Sequence, residues 1–246
     1  MKNTVTVKEQ VTAGTSRRNF LKISGLSVAA TGLLLTGCNN DDDSGSNENR
    51  LPGVRNGKFD LGSGDFGVLT YAYALEQLEA DFYTRVVNLS NFGTLFNSEE
   101  RQVLADLYAH EVIHREFFKT ALNGALPDPS TQLLPMLEFN YETVNWGSRD
   151  SILGTAKTLE DTGVAAYNGA GRLITSGDYL LLAGKIVSVE ARHAAAIRSL
   201  INPNSADFAG DDIVDANGLD VAKNPSQIIT AAGGFITTEF TAQYLP

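Results

Sequence analysis

The sequence predicts an all-α protein built as a four-helix bundle, and two observations carry this. Between Phe66 and Leu200 run four long segments with apolar residues at three- and four-residue spacing, and no good run of alternating β-branched residues. Their connections are short, long and short, the pattern of two antiparallel αα-hairpins joined by one crossover between helices 2 and 3. With 43% hydrophobic and 20% charged residues in 246, neither a collagen-like nor a wholly disordered chain fits.

The N-terminus reads as an address. Ser16-Arg17-Arg18-Asn19-Phe20-Leu21-Lys22 precedes a largely uncharged run from Ile23 to Thr36, the layout of a twin-arginine export signal, and the run is too short to span a bilayer comfortably. Leu35-Thr36-Gly37-Cys38 closes it and resembles a lipobox, in which Cys38 receives diacylglycerol before cleavage. Residues 1–37 are therefore expected to be removed as a twin-arginine lipoprotein signal peptide. Residues 38–58 are polar, rich in Gly, Ser and Asn and without apolar periodicity, so they predict a disordered acidic tether. Asp41-Asp42-Asp43 resembles the acidic surface-export signal of some outer-membrane lipoproteins, or is a solvated spacer. The expected location is exported, held to a membrane through the lipid alone, on the periplasmic or cell-surface side.

The bundle is expected over residues 59–202. Segment one runs from about Phe66 to Leu89, roughly 36 Å at the helical rise. Asn97 followed by Glu100 looks like a capping box that opens segment two, which Asn123-Gly124 ends. Pro127, Pro129 and Pro135 make residues 123–147 a poor helix and a long connection. Segment three spans Ser148 to Thr175, Ser176-Gly177-Asp178 turns the chain, and segment four runs from about Tyr179 to Ile201, where Pro203 stops it. Residues 203–246 predict a C-terminal extension packed on the bundle, with one short helix around Pro225 to Phe235.

Polar residues interrupt the apolar stripes at related places. Segments one and three carry Leu75-Glu76 and Leu159-Glu160, each with a tyrosine seven residues beyond the Glu, Tyr83 and Tyr167. Segments two and four carry Glu111-x-x-His114 and Glu190-x-x-His193. This order looks like an internal duplication. Residues three apart on a helix differ by about 60° and roughly 4.5 Å, so each Glu-x-x-His pair can face one metal ion. Two such helices, with one Glu from each of the others, supply four carboxylates and two imidazoles to the bundle centre, a di-iron or di-manganese carboxylate arrangement. Four buried carboxylates need cations nearby, and two divalent ions supply them.

These segments resemble the ferritin-like superfamily, and within it the ferritin-like domain family that includes exported bacterial and plant desiccation-related proteins. ALEQLEADFY in segment one and NPSQIITAAGGFI in the tail carry the likeness beside the Glu and His pattern. The resemblance implies a ferritin-like four-helix bundle with two iron or manganese ions. It implies Glu76, Glu111, His114, Glu160, Glu190 and His193 as ligands, with Glu111 and Glu190 bridging and each His capping one ion. Glu79, one turn from Glu76, is an alternative ligand, but it aligns with Gly163 in the duplicate, which favours Glu76. His110 has no counterpart in segment four and reads as a surface residue or one that bonds a ligand. Tyr83 and Tyr167 are candidates to bond the ligands, or core tyrosines with satisfied hydroxyls. The glycines of segment three fit either close packing against the crossover or room beside the metals.

The expected function is a dinuclear centre that reacts with dioxygen or peroxide, as a ferroxidase, peroxidase or catalase-like protein, its catalytic residues not assigned. A non-catalytic metal-binding or stress-protection module and a metal-free helical scaffold stay open beside it. A net charge of −10 argues against nucleic acid. A single Cys leaves no internal disulfide and no Cys-rich metal site. A homo-oligomer is open, but a lipid anchor, a tether and a C-terminal extension would obstruct a closed storage cage.

Overall fold

The computed structural model describes residues 50–246. The twin-arginine segment, the lipobox with Cys38 and residues 39–49 of the tether lie outside the described residues.

Four long helices form the bundle: α1 (Gly64–Val87), α3 (Ser98–Ala125), α5 (Arg149–Gly171) and α6 (Gly177–Ile201). Single turns α2 (Phe92–Leu95) and α4 (Pro129–Gln132) sit in the links. Helix α1 pairs with α3 and α5 with α6, and the two hairpins meet through α1 on α5 and α3 on α6. Helix α1 is apolar nearly all round and is accordingly buried along almost its whole length. The capping box at α3 is present: Asn97 Oδ1 accepts from the backbone of Glu99 and Glu100 at 2.9 and 3.0 Å, and Glu100 returns the bond to Asn97 N at 2.8 Å. That helix continues through Asn123-Gly124, its expected end, to Ala125, just short of Pro127. Asp65 in the first turn of α1 accepts from Thr175 N at 2.7 Å and Ser176 N at 3.0 Å, which fixes the α5–α6 turn against α1.

The long crossover has no long helix but is held at many points. Leu134, Leu137, Tyr141 and Val144 are buried. The Gln77 side chain donates to Pro135 O at 3.3 Å and accepts from Leu137 N at 2.8 Å. Tyr141 donates to Leu78 O at 3.2 Å. Satisfying the backbone through side chains of α1 is what lets an irregular segment lie against the core.

Residues 50–58 correct the expected boundary of the tether, because they belong to the folded domain. Strands β1 (Gly53–Arg55) and β2 (Lys58–Asp60) make an antiparallel hairpin through Asn56 and Gly57, both at positive φ as a two-residue turn requires. Strand β3 (Phe240–Thr241) joins β2 in parallel. The anchor is Asp60, fully buried, which accepts from Gly62 N at 2.9 Å and Thr241 Oγ1 at 2.5 Å and pairs with Arg55 at 3.3 Å.

The C-terminal extension packs on the bundle as expected, and its short helix α7 spans Pro225–Ala232. Arg198 of α6, nearly fully buried, binds both Asp161 of α5 and Asp212 of the extension through paired contacts of 2.7–3.0 Å. Among the described residues no helix is long and apolar enough to cross a membrane.

Candidate metal centre

Each long helix contributes to one cluster at the bundle centre. Glu76 comes from α1, Glu111 and His114 from α3, Glu160 from α5, and Glu190 and His193 from α6. All four carboxylates are fully buried. His114 Nδ1 lies 2.7 Å from Glu190 Oε1, 3.4 Å from Glu76 Oε2 and 3.6 Å from Glu111 Oε2. His193 Nδ1 lies 2.7 Å from Glu111 Oε1, 3.2 Å from Glu190 Oε2 and 3.5 Å from Glu160 Oε2. The cluster thus divides into two overlapping groups: Glu76, Glu111, His114 and Glu190, and Glu111, Glu160, Glu190 and His193, the ligand atoms of each lying within 4.8 Å of one another. Glu111 and Glu190 belong to both.

The donor set fits metal binding on a further observation. Glu76 Oε2, both oxygens of Glu111, Glu160 Oε2, Glu190 Oε1 and His114 Nδ1 are buried without a hydrogen-bond partner. Several of these atoms are only 2.7 Å from a neighbour yet are not aligned as donor and acceptor. Buried polar atoms are nearly always hydrogen bonded, so lone pairs aimed at shared points instead of at donors have the chemistry of metal ligands.

The outward carboxylate oxygens, by contrast, are held in a reciprocal pattern. Tyr83 of α1 donates to Glu160 Oε1 of α5 at 2.5 Å, and Tyr167 of α5 donates to Glu76 Oε1 of α1. Burial, and then the charge of the bonded carboxylate, pushes each phenol well above its ordinary pKa, so both stay protonated donors. The tyrosines spaced seven residues after each Glu therefore cross between hairpins, each holding the other half's carboxylate. Such supporting bonds typically carry a 10–100-fold effect on metal affinity. Tyr83→Phe and Tyr167→Phe are each expected to weaken metal binding roughly tenfold without unfolding the bundle, as read by competition with a chelator and by circular dichroism.

Burial pushes the Glu111 carboxyl up to about 8, aided by the charge of Glu190. Glu160 is likewise raised by burial. Glu190 moves the other way, to about 2: burial opposes its charge, but His114 and His193 on either side outweigh it. Burial alone would lower both imidazoles, yet the surrounding carboxylates raise them.

Two positions break the symmetry of the halves. His110 Nδ1 is hydrogen bonded to His193 Nε2 at 2.9 Å. Its position in α6 is Val189. Glu79 is buried and stands against Gly163, whose Cβ, if it had one, would meet Glu79 Oε1 at 2.8 Å. It lies in neither four-residue group.

The family model of the ferritin-like domain matches residues 64–203, more than half of the chain. The chain belongs to the ferritin-like domain family. The match begins at the first residue of α1 and ends just past α6, so the ferritin-like unit is the four-helix bundle and the sheet and tail are additions to it. No curated protein matches the chain at a significant level.

Proposed function

We propose that this ferritin-like bundle holds two iron or manganese ions on Glu76, Glu111, His114, Glu160, Glu190 and His193 and reacts with dioxygen or peroxide, as a ferroxidase, peroxidase or catalase-like protein. The observation that carries this is the convergence of two imidazole nitrogens and four carboxylates, each carboxylate with at least one buried oxygen that has no hydrogen-bond partner. Two divalent ions would balance the four carboxylate charges, which burial otherwise makes costly. When bound, the metal pair supplies the electrons for the reaction.

The chain's own residues do the rest. Tyr83 and Tyr167 fix the outer oxygens of Glu160 and Glu76, leaving the other oxygens free to face the metals. Were His193 to hold a metal through Nδ1, its proton would reside on Nε2 and donate to His110 Nδ1, which would fix the ring. The surrounding core, including Leu75, Leu78, Phe118 and Leu159, keeps bulk water out. Export by the twin-arginine route, with a lipid on Cys38, fits this function because that route moves folded proteins and so allows metal loading beforehand.

The deciding experiment is elemental analysis of the full chain purified from cells supplied with iron and manganese, beside Glu111→Ala/Glu190→Ala. About two ions per chain, lost in the variant, is the expected result. Metal bound but inert toward dioxygen and peroxide would turn the assignment to a sequestering or stress-protection module. No specific metal in the unmodified chain would overturn it.

A further inference from the structure

The halves of the bundle match at every candidate ligand but not at Glu79, whose counterpart is Gly163. Glu79 is 2% exposed, and its Oε2 has no hydrogen-bond partner. Its carboxyl fills space that a side chain at 163 would take. The residue also lines a narrow cleft between α1, α5 and the C-terminal extension, bounded by Leu78, Thr158, Thr162, Gly163, Ala231 and Phe235. Thr158 and Ala231 are exposed at its outer end. Leu75 and Leu159 complete its wall, and Glu79 at its buried side stands one helical turn from Glu76, so the inner end of the cleft lies on the side of the cluster. Glu79 is the only ionisable residue in the lining. Burial, and then the charges of Glu111, Glu190, Glu160 and Glu76, hold its carboxyl well above the usual carboxylate range, which marks how near the cluster it stands.

A passage with largely apolar walls and no charged group but Glu79 disfavours ions, because a charge entering it loses its water with little to replace it. A single buried hydrogen-bonding group at its inner end favours a small neutral molecule that can bond to it. We infer that this cleft is the access route by which a neutral, hydrogen-bonding molecule of the size of hydrogen peroxide reaches the metal cluster, with Glu79 as its last contact. The inference rests on the dinuclear assignment. It gives two features of this chain a common purpose: Gly163 leaves room for the Glu79 carboxyl, and the extension, through Ala231 and Phe235, forms one wall of the passage.

The test uses the iron-loaded, oxidised full chain with azide as a three-atom probe, followed by the absorbance of the azide complex. Metal content is measured on every sample. Thr162→Phe, inside the cleft, and Ala231→Trp, at its mouth, are expected to slow azide association and release by roughly tenfold each while leaving the equilibrium constant unchanged, the mark of a narrowed path. Glu79→Leu should slow association, and Glu79→Gln, which keeps a hydrogen-bonding head, should restore it. Ile113→Trp, on the exposed face of α3, should change nothing. Unaltered rates in both cleft variants at full metal content would overturn the route, as would slowing by Ile113→Trp in their place. Absence of metal from the unmodified chain would overturn the dinuclear assignment and this inference together, an outcome distinct from metal-loaded protein with unaltered rates.

Discussion

Raising the pH from 5 to 8 is expected to destabilise the chelator-treated protein and, over the same range, to enlarge the stabilisation given by added iron or manganese. Glu111 carries the first effect. Its carboxyl is raised from 4.5 to about 8 by burial and then by Glu190, so between those values the folded chain keeps a proton that the unfolded chain has lost. Stability then falls as pH rises, by at most about 5 kcal/mol for this one group. His114 and His193 act in the same direction: raised by their carboxylates, they contribute stability that is complete below their unfolded pKa and is lost as pH climbs toward the folded one. Glu190, held near 2, contributes stability that is already complete above the unfolded carboxylate pKa, so it does not offset this fall.

Metal ions bind the ionised carboxylates and neutral imidazoles, so uptake releases those protons and affinity rises with pH. At a thousandfold excess over the dissociation constant each bound ion adds about 4 kcal/mol, or roughly 10 °C in melting temperature for a chain of this size. Melting scans from pH 5 to 8, with chelator and with metal, test both arms. Glu111→Gln should flatten the chelator curve and abolish the metal increment. Parallel curves with and without metal at every pH would sink this account.

That cluster was legible because its signals are local. A Glu and a His three residues apart share a helix face, and the repeat in α3 and α6 needed only counting. The tyrosines were visible too, but not that each reaches across to the opposite half. That pairing depends on how α1 lies against α5, a relation no spacing within one helix encodes. Glu79 opposite Gly163 could be seen as a mismatch in the duplicate, whereas the cleft beyond it is made partly by Ala231 and Phe235, more than sixty residues away.

The small sheet escaped for another reason. Strands of three and two residues are too short to show alternation, and their register comes from a tight turn and the buried Asp60. The same limit applied to the glycines of α5. Packing against the crossover was one expectation for them, but at Gly169 the close neighbour is the C-terminal extension, and at Gly163 it is Glu79.

Those glycines give the second large effect: one substitution, made at two places in one helix, is expected to have opposite signs. Gly154 is exposed, and a Cβ there meets nothing within 4 Å, so Gly154→Ala should stabilise by about 1 kcal/mol through helix propensity alone. Gly169 enjoys the same propensity gain, yet its Cβ would overlap the Lys223 carbonyl oxygen and lie 2.5 Å from its carbon and 2.9 Å from its nitrogen. The obstacle is backbone and cannot rotate aside. The extension is also tied down there, because Lys223 N donates to Ala165 O at 3.0 Å, Asn168 to Val221 O at 3.3 Å and Arg172 to Asn224 Oδ1 at 2.6 Å. Gly169→Ala must lift residues 221–224 off α5 and break these bonds, a net loss of roughly 2–4 kcal/mol once overpacking and unpaired groups are counted. Urea unfolding reads the sign of both variants. Limited proteolysis should cut Gly169→Ala within residues 203–224 well before the parent or Gly154→Ala. Because the extension forms one wall of the cleft that ends at Glu79, the same variant should also quicken azide exchange at a metal-loaded centre. Equal stability and equal proteolysis of the two variants would mean that the extension does not bear on α5 as tightly as its contacts require.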